Sequence, residues 1–183
     1  MSDAMRVLFV CTGNTCRSPM AAAAFRHLAA AAGVDAAAES AGLATGGFAA
    51  PTTGLAIEAA AARGYPLTEH RSRQLEAADL ARFDLVLAMT RKHEAALLRL
   101  APPDARRHIR LLMSFAAEAG TPDVPDPLGG GSADYDRALD LIERAVQGLV
   151  RRLAEQAPPP PLPEEGPPLP EEGPPLPEEG EAA

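Results

Sequence analysis

The feature that most constrains the fold is an eight-residue polar loop, Cys11–Ser18, between two segments of different character. The apolar run Val7–Val10 precedes the loop and predicts a short buried strand. An alanine-rich segment that opens with Pro19 follows it and predicts a helix, because proline fits the first turn of a helix. Unpaired backbone N–H groups and the helix dipole make such a helix N-terminus attractive to anions. The junction therefore predicts an anion-binding loop between a strand and a helix.

Strand-like and helix-like segments alternate along the rest of the chain. The apolar patterns predict strands at 6–10, 34–41, 84–89 and 109–112. Periodicity and capping residues predict helices at 19–32, 51–63, 76–82, 91–100 and 134–154. Such alternation is typical of parallel sheets that are covered on both faces and bind ligands at the carboxyl ends of their strands. We expect an α/β fold of three layers: a four-stranded parallel sheet with helices on both faces and the anion-binding loop after the first strand.

The composition changes sharply after residue 156. Residues 1–156 read as one domain, whereas 157–183 repeat Leu-Pro-Glu-Glu-Gly from Leu162, Leu169 and Leu176. Proline at this frequency is incompatible with helix and sheet, so we predict a disordered, acidic, polyproline-like tail. The tail could be a ligand for a proline-recognising partner, or it could only increase solubility.

Charge and composition exclude several classes of function. Seven of the eight excess negative charges lie in the tail, and the rest of the chain is near neutral without a basic cluster. We therefore expect no nucleic-acid binding. No apolar run reaches membrane-spanning length and no signal peptide precedes the first strand, which predicts a soluble cytoplasmic protein without a membrane partner. The four histidines lack metal-ligand spacing, and the single lysine, Lys92, lies outside the loop, so we expect neither a metal nor another cofactor.

Cys11 and Arg17 suggest a specific chemistry for the loop. They follow the spacing Cys-x5-Arg, so the guanidinium and the loop amides can together stabilise a Cys11 thiolate. Arg17 can also bind two oxygens of a phosphate, which would place phosphorus in line with the sulfur. Ser18 can donate its hydroxyl to the thiolate, while Gly13 and Asn14 tolerate the left-handed backbone of a tight loop. The pattern favours phosphoryl transfer to sulfur over a merely structural cysteine.

The sequence Val-Cys-Thr-Gly-Asn-Thr-Cys-Arg-Ser-Pro-Met-Ala resembles the signature of the low-molecular-weight protein tyrosine phosphatase family. Within that family it is similar to the bacterial protein arginine phosphatases, as is Leu-Val-Leu-Ala-Met-Thr-x-x-His at 85–93. The resemblance covers roughly residues 5–153. It implies a cysteine-dependent phosphatase acting on phosphorylated proteins, with a phosphate-binding loop that consists of Thr12, Gly13, Asn14, Thr15, Cys16, Arg17 and Ser18.

Two residues outside the loop are implied by the same resemblance. Ser40, in Ser-Ala-Gly, corresponds to a serine that supports the loop asparagine, here Asn14. His70, in His-Arg-Ser-Arg-Gln-Leu, corresponds to a histidine that hydrogen-bonds into the same support network. From the residues alone, an ordinary turn serine and a surface histidine remain open alternatives.

Asp126 is the candidate general acid. Attack by a thiolate expels a leaving group that needs a proton, and the proton donor must come from another segment. Asp126 precedes a proline and a glycine run, and Asp-Pro-x-Gly-Gly resembles the acid motif of the family. The same carboxylate could then activate the water that hydrolyses the thiophosphate. Asp123 is the alternative, and an Asp-Pro dipeptide that only forms a turn is another.

Thr15 and Leu128 bear on the choice of substrate. Tyrosine phosphatases of the family usually have a larger aliphatic residue at the position of Thr15, and threonine there is the selectivity feature of the arginine phosphatases. Leu128 departs from both patterns, because the position after Asp-Pro is usually aromatic. It weakens the phosphotyrosine interpretation, and it also leaves the match to the arginine phosphatases incomplete. We predict phosphoarginine as the favoured substrate and phosphotyrosine as the alternative. An arsenate reductase would call for further distal cysteines, and a module that only binds phosphate would need neither Cys11 nor Asp126.

Cys16 is the second cysteine of the loop. A reactive thiolate is readily oxidised to sulfenic acid, and a nearby thiol can trap that product as a reversible disulfide. We therefore predict redox regulation through Cys16, with a small buried apolar role as the alternative.

Overall fold

The structure is a computed structural model that describes residues 4–156. The predicted tail, 157–183, lies outside the described residues. Four strands are present, β1 (Met5–Cys11), β2 (Ala36–Gly42), β3 (Leu85–Ala88) and β4 (Ile109–Leu111). Five α-helices accompany them, α1 (Arg17–Ala31), α2 (Gly54–Ala61), α3 (Asp79–Arg82), α4 (Arg91–Leu100) and α5 (Ser132–Gln156). Three short 3-10 helices follow α4, at Pro103–His108, Leu112–Phe115 and Ala117–Ala119.

All strands of the sheet are parallel, in the order β2-β1-β3-β4. The chain therefore runs from β1 to one neighbour through α1 and later returns to the other side of β1. The carboxyl end of β1 is the point at which the direction of winding reverses, and ligands bind there in open α/β sheets. Cys11 is the last residue of β1. The predicted four-stranded parallel α/β architecture is confirmed.

Alternate side chains of β1 point into two separate apolar layers. Val7 and Phe9 belong to the larger core, which includes residues of α1, α2 and α5. Leu8 and Val10 belong to the smaller core, which includes residues of α3 and α4. Such alternation follows from the two-residue period of a strand. Because both faces of β1 are buried, the strand reads as a continuous apolar run, as is typical of parallel sheets.

Small residues let the helices approach closely on the larger face. Helix α1 buries Met20, Phe25 and the alanines between them, and the rings of Phe9 and Phe25 lie 5.7 Å apart. A Cβ added to Gly148 in α5 would lie 2.0 Å from the carbonyl oxygen of Phe115, so only glycine fits there. The core thus depends on alanine and glycine contacts as much as on large side chains.

Element boundaries differ from the predicted ones by a few residues. Helix α1 begins at Arg17, two residues before the predicted start, because Pro19 lies within the first turn and not at its edge. Helix α2 begins at Gly54 and not at Pro51. The reason is an extended pairing: Ala50 donates its N–H to Ser72 Oγ and accepts the N–H of Ser72.

Within residues 4–156, no helix has the length and apolarity required to cross a membrane.

Candidate active site

The loop after β1 wraps around the Cys11 sulfur. Cys11 is 3% exposed, and its Sγ accepts the backbone N–H of Asn14 at 3.3 Å. The Ser18 hydroxyl oxygen lies 2.9 Å from the same sulfur. Helix α1 starts at Arg17 with Cys16 as its N-cap residue, and no side chain caps it. The unpaired N–H groups of this first turn therefore stay available to an anion bound in front of the sulfur.

Asn14 connects the loop to the segments that support it. It is completely buried and has a φ of 57°, in the left-handed region. Its Nδ2 donates to Ser18 Oγ at 2.8 Å and to Ser40 Oγ at 2.9 Å, and its Oδ1 accepts the backbone N–H of Arg73 at 3.0 Å. Because Ser18 accepts from Asn14, its own proton is free to be donated to Cys11. Ser18 is thus oriented as a donor that favours a thiolate.

His70 holds the backbone of the same residue. Its Nε2 lies 2.9 Å from the carbonyl oxygen of Asn14, which can only accept, so Nε2 carries the proton and donates. Burial lowers the pKa of His70 below its usual value, which keeps the ring neutral near pH 7. The structure therefore brings Ser40 and His70 together around Asn14, as the sequence resemblance implied.

The end of β2 packs directly beneath the loop. Gly42 pairs with Cys11 in the sheet, and a Cβ at this position would lie 2.6 Å from the carbonyl oxygen of Thr12. Any larger residue would displace the loop backbone. Gly42 is therefore a site-forming residue that sequence reasoning treated only as the end of a strand.

Arg17 joins the loop to the segment that carries the candidate acid. Its Nη1 donates to the carbonyl oxygen of Val124 at 3.2 Å, and its Nη2 forms an ion pair with Asp126 Oδ2 at 3.0 Å. Arg17 is buried, whereas about half of the Asp126 side chain is exposed. Asp123, the alternative acid, accepts the N–H of Arg91 at 2.7 Å at the start of α4. Of the two carboxylates, only Asp126 lines the pocket over Cys11.

This pocket has a volume of about 250 Å³ and opens in front of the sulfur. The residues that line it come from the end of β1 and its loop, the segment after β2 and the segment that carries Asp126: Cys11, Thr12, Gly13, Thr15, Cys16, Arg17, Ala44, Asp126 and Leu128. It combines a thiol, a guanidinium and a carboxylate with the N-terminus of a helix. Such a pocket can bind a phosphoryl group, attack it through sulfur and protonate a leaving group.

Comparison with known proteins assigns the family. The model for low molecular weight phosphotyrosine protein phosphatases matches residues 6–158. The chain belongs to this family. It is a cysteine-based protein phosphatase.

The relatives of this phosphatase include proteins named as tyrosine phosphatases and a protein named as an arginine phosphatase. It is 42% identical to the low molecular weight protein-tyrosine-phosphatase of Streptomyces coelicolor, over 82% of this chain and 94% of the relative. It is 36% identical to a protein-arginine-phosphatase of Bacillus subtilis, over 81% of this chain and 97% of the relative. Among solved structures, it resembles a cysteine-to-serine mutant of the YwlE arginine phosphatase in which the active-site serine is phosphorylated. The TM-score is 0.72, with 34% identity over 81% of this chain and 95% of the other.

Cys16 lies in the pocket wall of this phosphatase, facing α5. Its Sγ is 3.3 Å from Thr53 Oγ1 and 3.6 Å from the Tyr135 hydroxyl, and the thiol is nearly buried. Both Cys11 and Cys16 are free thiols. Sequence reasoning missed Thr53 and Tyr135, because these contacts join segments far apart in the chain.

His93 was also missed as a neighbour of the loop. Its Nε2 lies 2.8 Å from Thr12 Oγ1, and burial, followed by the nearby Arg17, lowers the pKa of His93 to about 4. The Thr-x-x-His pattern at 90–93 was a usable signal, since it places a histidine in the first turn of the helix that follows β3.

No group of three or more histidine, cysteine or carboxylate side chains is arranged to hold a metal ion in the part of the chain that the structure describes. The pocket itself offers a guanidinium and helix N–H groups, which suit an anion and not a cation.

Proposed function

We propose that this phosphatase hydrolyses phosphoarginine in proteins, with Cys11 as nucleophile, Arg17 as phosphate ligand and Asp126 as general acid. The observation that carries the substrate assignment is Thr15, a small hydroxylic residue that lines the pocket together with Cys11. A phosphoguanidinium is planar and carries several N–H donors. Threonine leaves room for that plane and offers a hydrogen-bond acceptor, whereas a larger aliphatic residue would crowd the group and leave its N–H groups unpaired.

The first step transfers the phosphoryl group to sulfur. The substrate phosphate takes the place of the Asp126 carboxylate on Arg17 and accepts hydrogen bonds from the loop N–H groups. The Cys11 thiolate then attacks phosphorus, so that an S–P bond forms as the P–N bond breaks. Asp126, which takes up a proton from solvent once the phosphate has displaced it from Arg17, gives that proton to the departing guanidine nitrogen. Ser18 stabilises the thiolate before attack.

The second step regenerates the enzyme. The Asp126 carboxylate accepts a proton from a water molecule, which attacks phosphorus and breaks the S–P bond. Inorganic phosphate leaves and the thiolate returns. The same carboxylate thus serves as acid and then as base, which is consistent with its exposed position at the pocket rim and its contact with Arg17.

Phosphotyrosine is the second candidate substrate. It is favoured by the tyrosine-phosphatase name of the 42% identical relative. Against it stands Leu128, which is 64% exposed at the pocket rim and cannot stack on a phenol ring as an aromatic side chain does.

Parallel kinetics test the proposal. The full chain is assayed with matched peptides that differ only in a phosphoarginine or a phosphotyrosine, and kcat/KM is compared. We expect the higher value with phosphoarginine. A higher value with phosphotyrosine would assign the enzyme to tyrosine, and loss of both activities in Cys11→Ser is the control for contaminating phosphatases.

Two interpretations of the sequence remain predictions for this enzyme: a cytoplasmic location, and a role of 157–183 as ligand for a proline-recognising partner. The arsenate-reductase alternative lacks support, since the chain contains two cysteines and both lie in the loop.

A further inference from the structure

His93 contacts the phosphate-binding loop at Thr12. It lies in the first turn of α4, where its backbone N–H is capped by Thr90 Oγ1 at 3.2 Å. Its side chain is buried, with the residue 6% exposed, and Nε2 lies 2.8 Å from Thr12 Oγ1. Thr12 in turn lines the pocket in front of Cys11. The imidazole therefore makes its hydrogen bond to the pocket lining through the Thr12 hydroxyl.

The other ring nitrogen determines which group donates in this contact. Among the described residues, Nδ1 of His93 is buried and has no hydrogen-bond partner. If Nδ1 carried the ring proton, a buried N–H donor would be orphaned, which is rare and costly in folded proteins. If Nε2 carries it, Nδ1 is only an unused acceptor, and the N–H donates to Thr12. The second tautomer is therefore the stable one.

Neighbouring charges keep the ring in a neutral form. Burial and Arg17 disfavour the imidazolium, while Asp126 and Asp123 favour it less strongly, and the pKa of His93 falls to about 4. Near neutral pH the ring carries one proton, so the assignment of that proton to Nε2 leaves Nδ1 bare.

We propose that His93 is a positioning residue that turns the Thr12 hydroxyl into a hydrogen-bond donor aimed at the phosphoryl group of the substrate. Thr12 Oγ1 accepts the hydrogen bond from the Nε2 N–H, so the Thr12 hydroxyl cannot donate its own proton to His93. That proton is available to an anion bound in the pocket that Thr12 lines. This inference rests on the proposed phosphoryl chemistry of the site and adds a side-chain donor to the backbone N–H groups.

A Thr12 hydroxyl that is held in one orientation stabilises the bound phosphoryl group most strongly when negative charge develops on that group. Hydrogen bonds to an anion are stronger than neutral ones, and a donor held in place before the reaction has no reorganisation cost. Without His93, the exposed Thr12 hydroxyl would rotate freely and bond to water. Its contribution to phosphate binding would then be lost.

The tautomer is tested first on the unaltered protein. The full chain, labelled with ¹⁵N in histidine, is studied by long-range ¹H–¹⁵N correlation at pH 7, and the His93 signals are assigned by their loss in His93→Gln. We expect a protonated Nε2 and an unprotonated Nδ1. A proton on Nδ1, or on both nitrogens, overturns the proposal.

Binding of vanadate, a phosphate-like anion, tests the consequence. We expect His93→Leu and Thr12→Val each to weaken vanadate binding about tenfold, because one charge-assisted hydrogen bond is lost. The double variant should be no weaker than Thr12→Val alone, since both changes act through one hydroxyl. The matched controls are Thr12→Ser, which keeps the hydroxyl, and His93→Gln, whose amide can donate from nearly the position of Nε2. Both should stay within about threefold of the parent.

Three results overturn the inference: unchanged binding in Thr12→Val, additive losses in the double variant, or equal losses in His93→Gln and His93→Leu. Thr12 is an exposed residue, so its variants test the proposal even where His93→Leu does not fold. These outcomes are separate from the substrate assignment. A parent that binds vanadate but prefers phosphotyrosine would overturn the proposed substrate and leave the His93 inference standing.

Discussion

Arg17 and Asp126 form an ion pair across the mouth of the pocket, with Nη2 3.0 Å from Oδ2. The pair links the proposed phosphate-binding residue to the candidate acid. In the proposed mechanism, the phosphoryl group of the substrate displaces the Asp126 carboxylate from Arg17, which leaves Asp126 beside the leaving group. Substrate binding would then also place the acid.

Replacement of the nucleophile separates binding from turnover. Cys11→Ser should abolish hydrolysis, because a serine hydroxyl stays protonated at neutral pH, and it should leave phosphate or vanadate binding intact because the loop is preserved. Turnover of an aryl phosphate and calorimetric titration with vanadate measure the two properties. Retained turnover would rule out the thiolate mechanism.

The loss of turnover on removal of the candidate acid should depend on the leaving group. Asp126→Ala should lower turnover by ~10²-fold or more for substrates with poor leaving groups, and by less for good ones. It should also tighten binding of inorganic phosphate, because Arg17 loses its competing carboxylate. The matched control is Asp123→Ala, which removes a carboxylate bound to the N–H of Arg91 and should affect turnover less. An equal loss for all leaving groups would exclude a proton donor.

We predict that Thr15 determines the preference between the two substrates. Thr15→Ile adds a methylene and removes the hydroxyl, so it should lower kcat/KM on phosphoarginine by ~10-fold or more while it spares or improves phosphotyrosine turnover. The ratio of the two values is the measurement, since general damage to the loop would lower both. Thr15→Ser, which keeps the hydroxyl, is the control. An unchanged ratio would argue for the tyrosine assignment.

His93 makes the fold sensitive to acid. Its pKa is lowered from 6.5 to about 4 in the folded protein, mainly by burial, so below pH 6.5 the unfolded chain binds a proton that the folded chain refuses. The contribution of the neutral His93 ring to the free energy of unfolding is fully present above pH 6.5. It is lost as the pH falls from 6.5 through 4, and the total loss is about 3 kcal/mol. The variant His93→Gln should not show this pH-dependent loss, because glutamine does not titrate. Urea unfolding at pH 7 and pH 4.5 should show a smaller decrease for the variant, and equal decreases would contradict the neutral buried ring.

Cys16 is predicted to protect the enzyme from irreversible oxidation. Peroxide should inactivate the parent reversibly, because a Cys11 sulfenic acid can be trapped by a neighbouring thiol. Cys16→Ser keeps a small polar side chain beside Thr53 and Tyr135 but cannot form a disulfide. Recovery of activity with a reductant is the measurement. If the variant recovers as fully as the parent, Cys16 has no protective role.

The local sequence was enough to predict the loop Cys11–Ser18 and the two elements that flank it. Cys11, Arg17 and Ser18 are close along the chain, and the strand and helix that hold them are specified by local apolar pattern and by Pro19. Local geometry of this kind is readable because the spacing along one loop limits the distances between its side chains. The parallel sheet was predictable from the alternation of strands and helices, whereas the strand order β2-β1-β3-β4 is known only from the structure.

The residues that complete the site from distant segments could be identified only from the folded structure. Tyr135 reaches Cys16 across 119 residues, His93 reaches Thr12 across 81, and Arg73 binds the Asn14 amide across 59. Sequence separation of this length leaves distance undetermined until α4 and α5 pack on the sheet. Asp126 could be named from its motif, but its ion pair with Arg17 depends on how the chain after β4 folds over the loop, and no local pattern specifies that path.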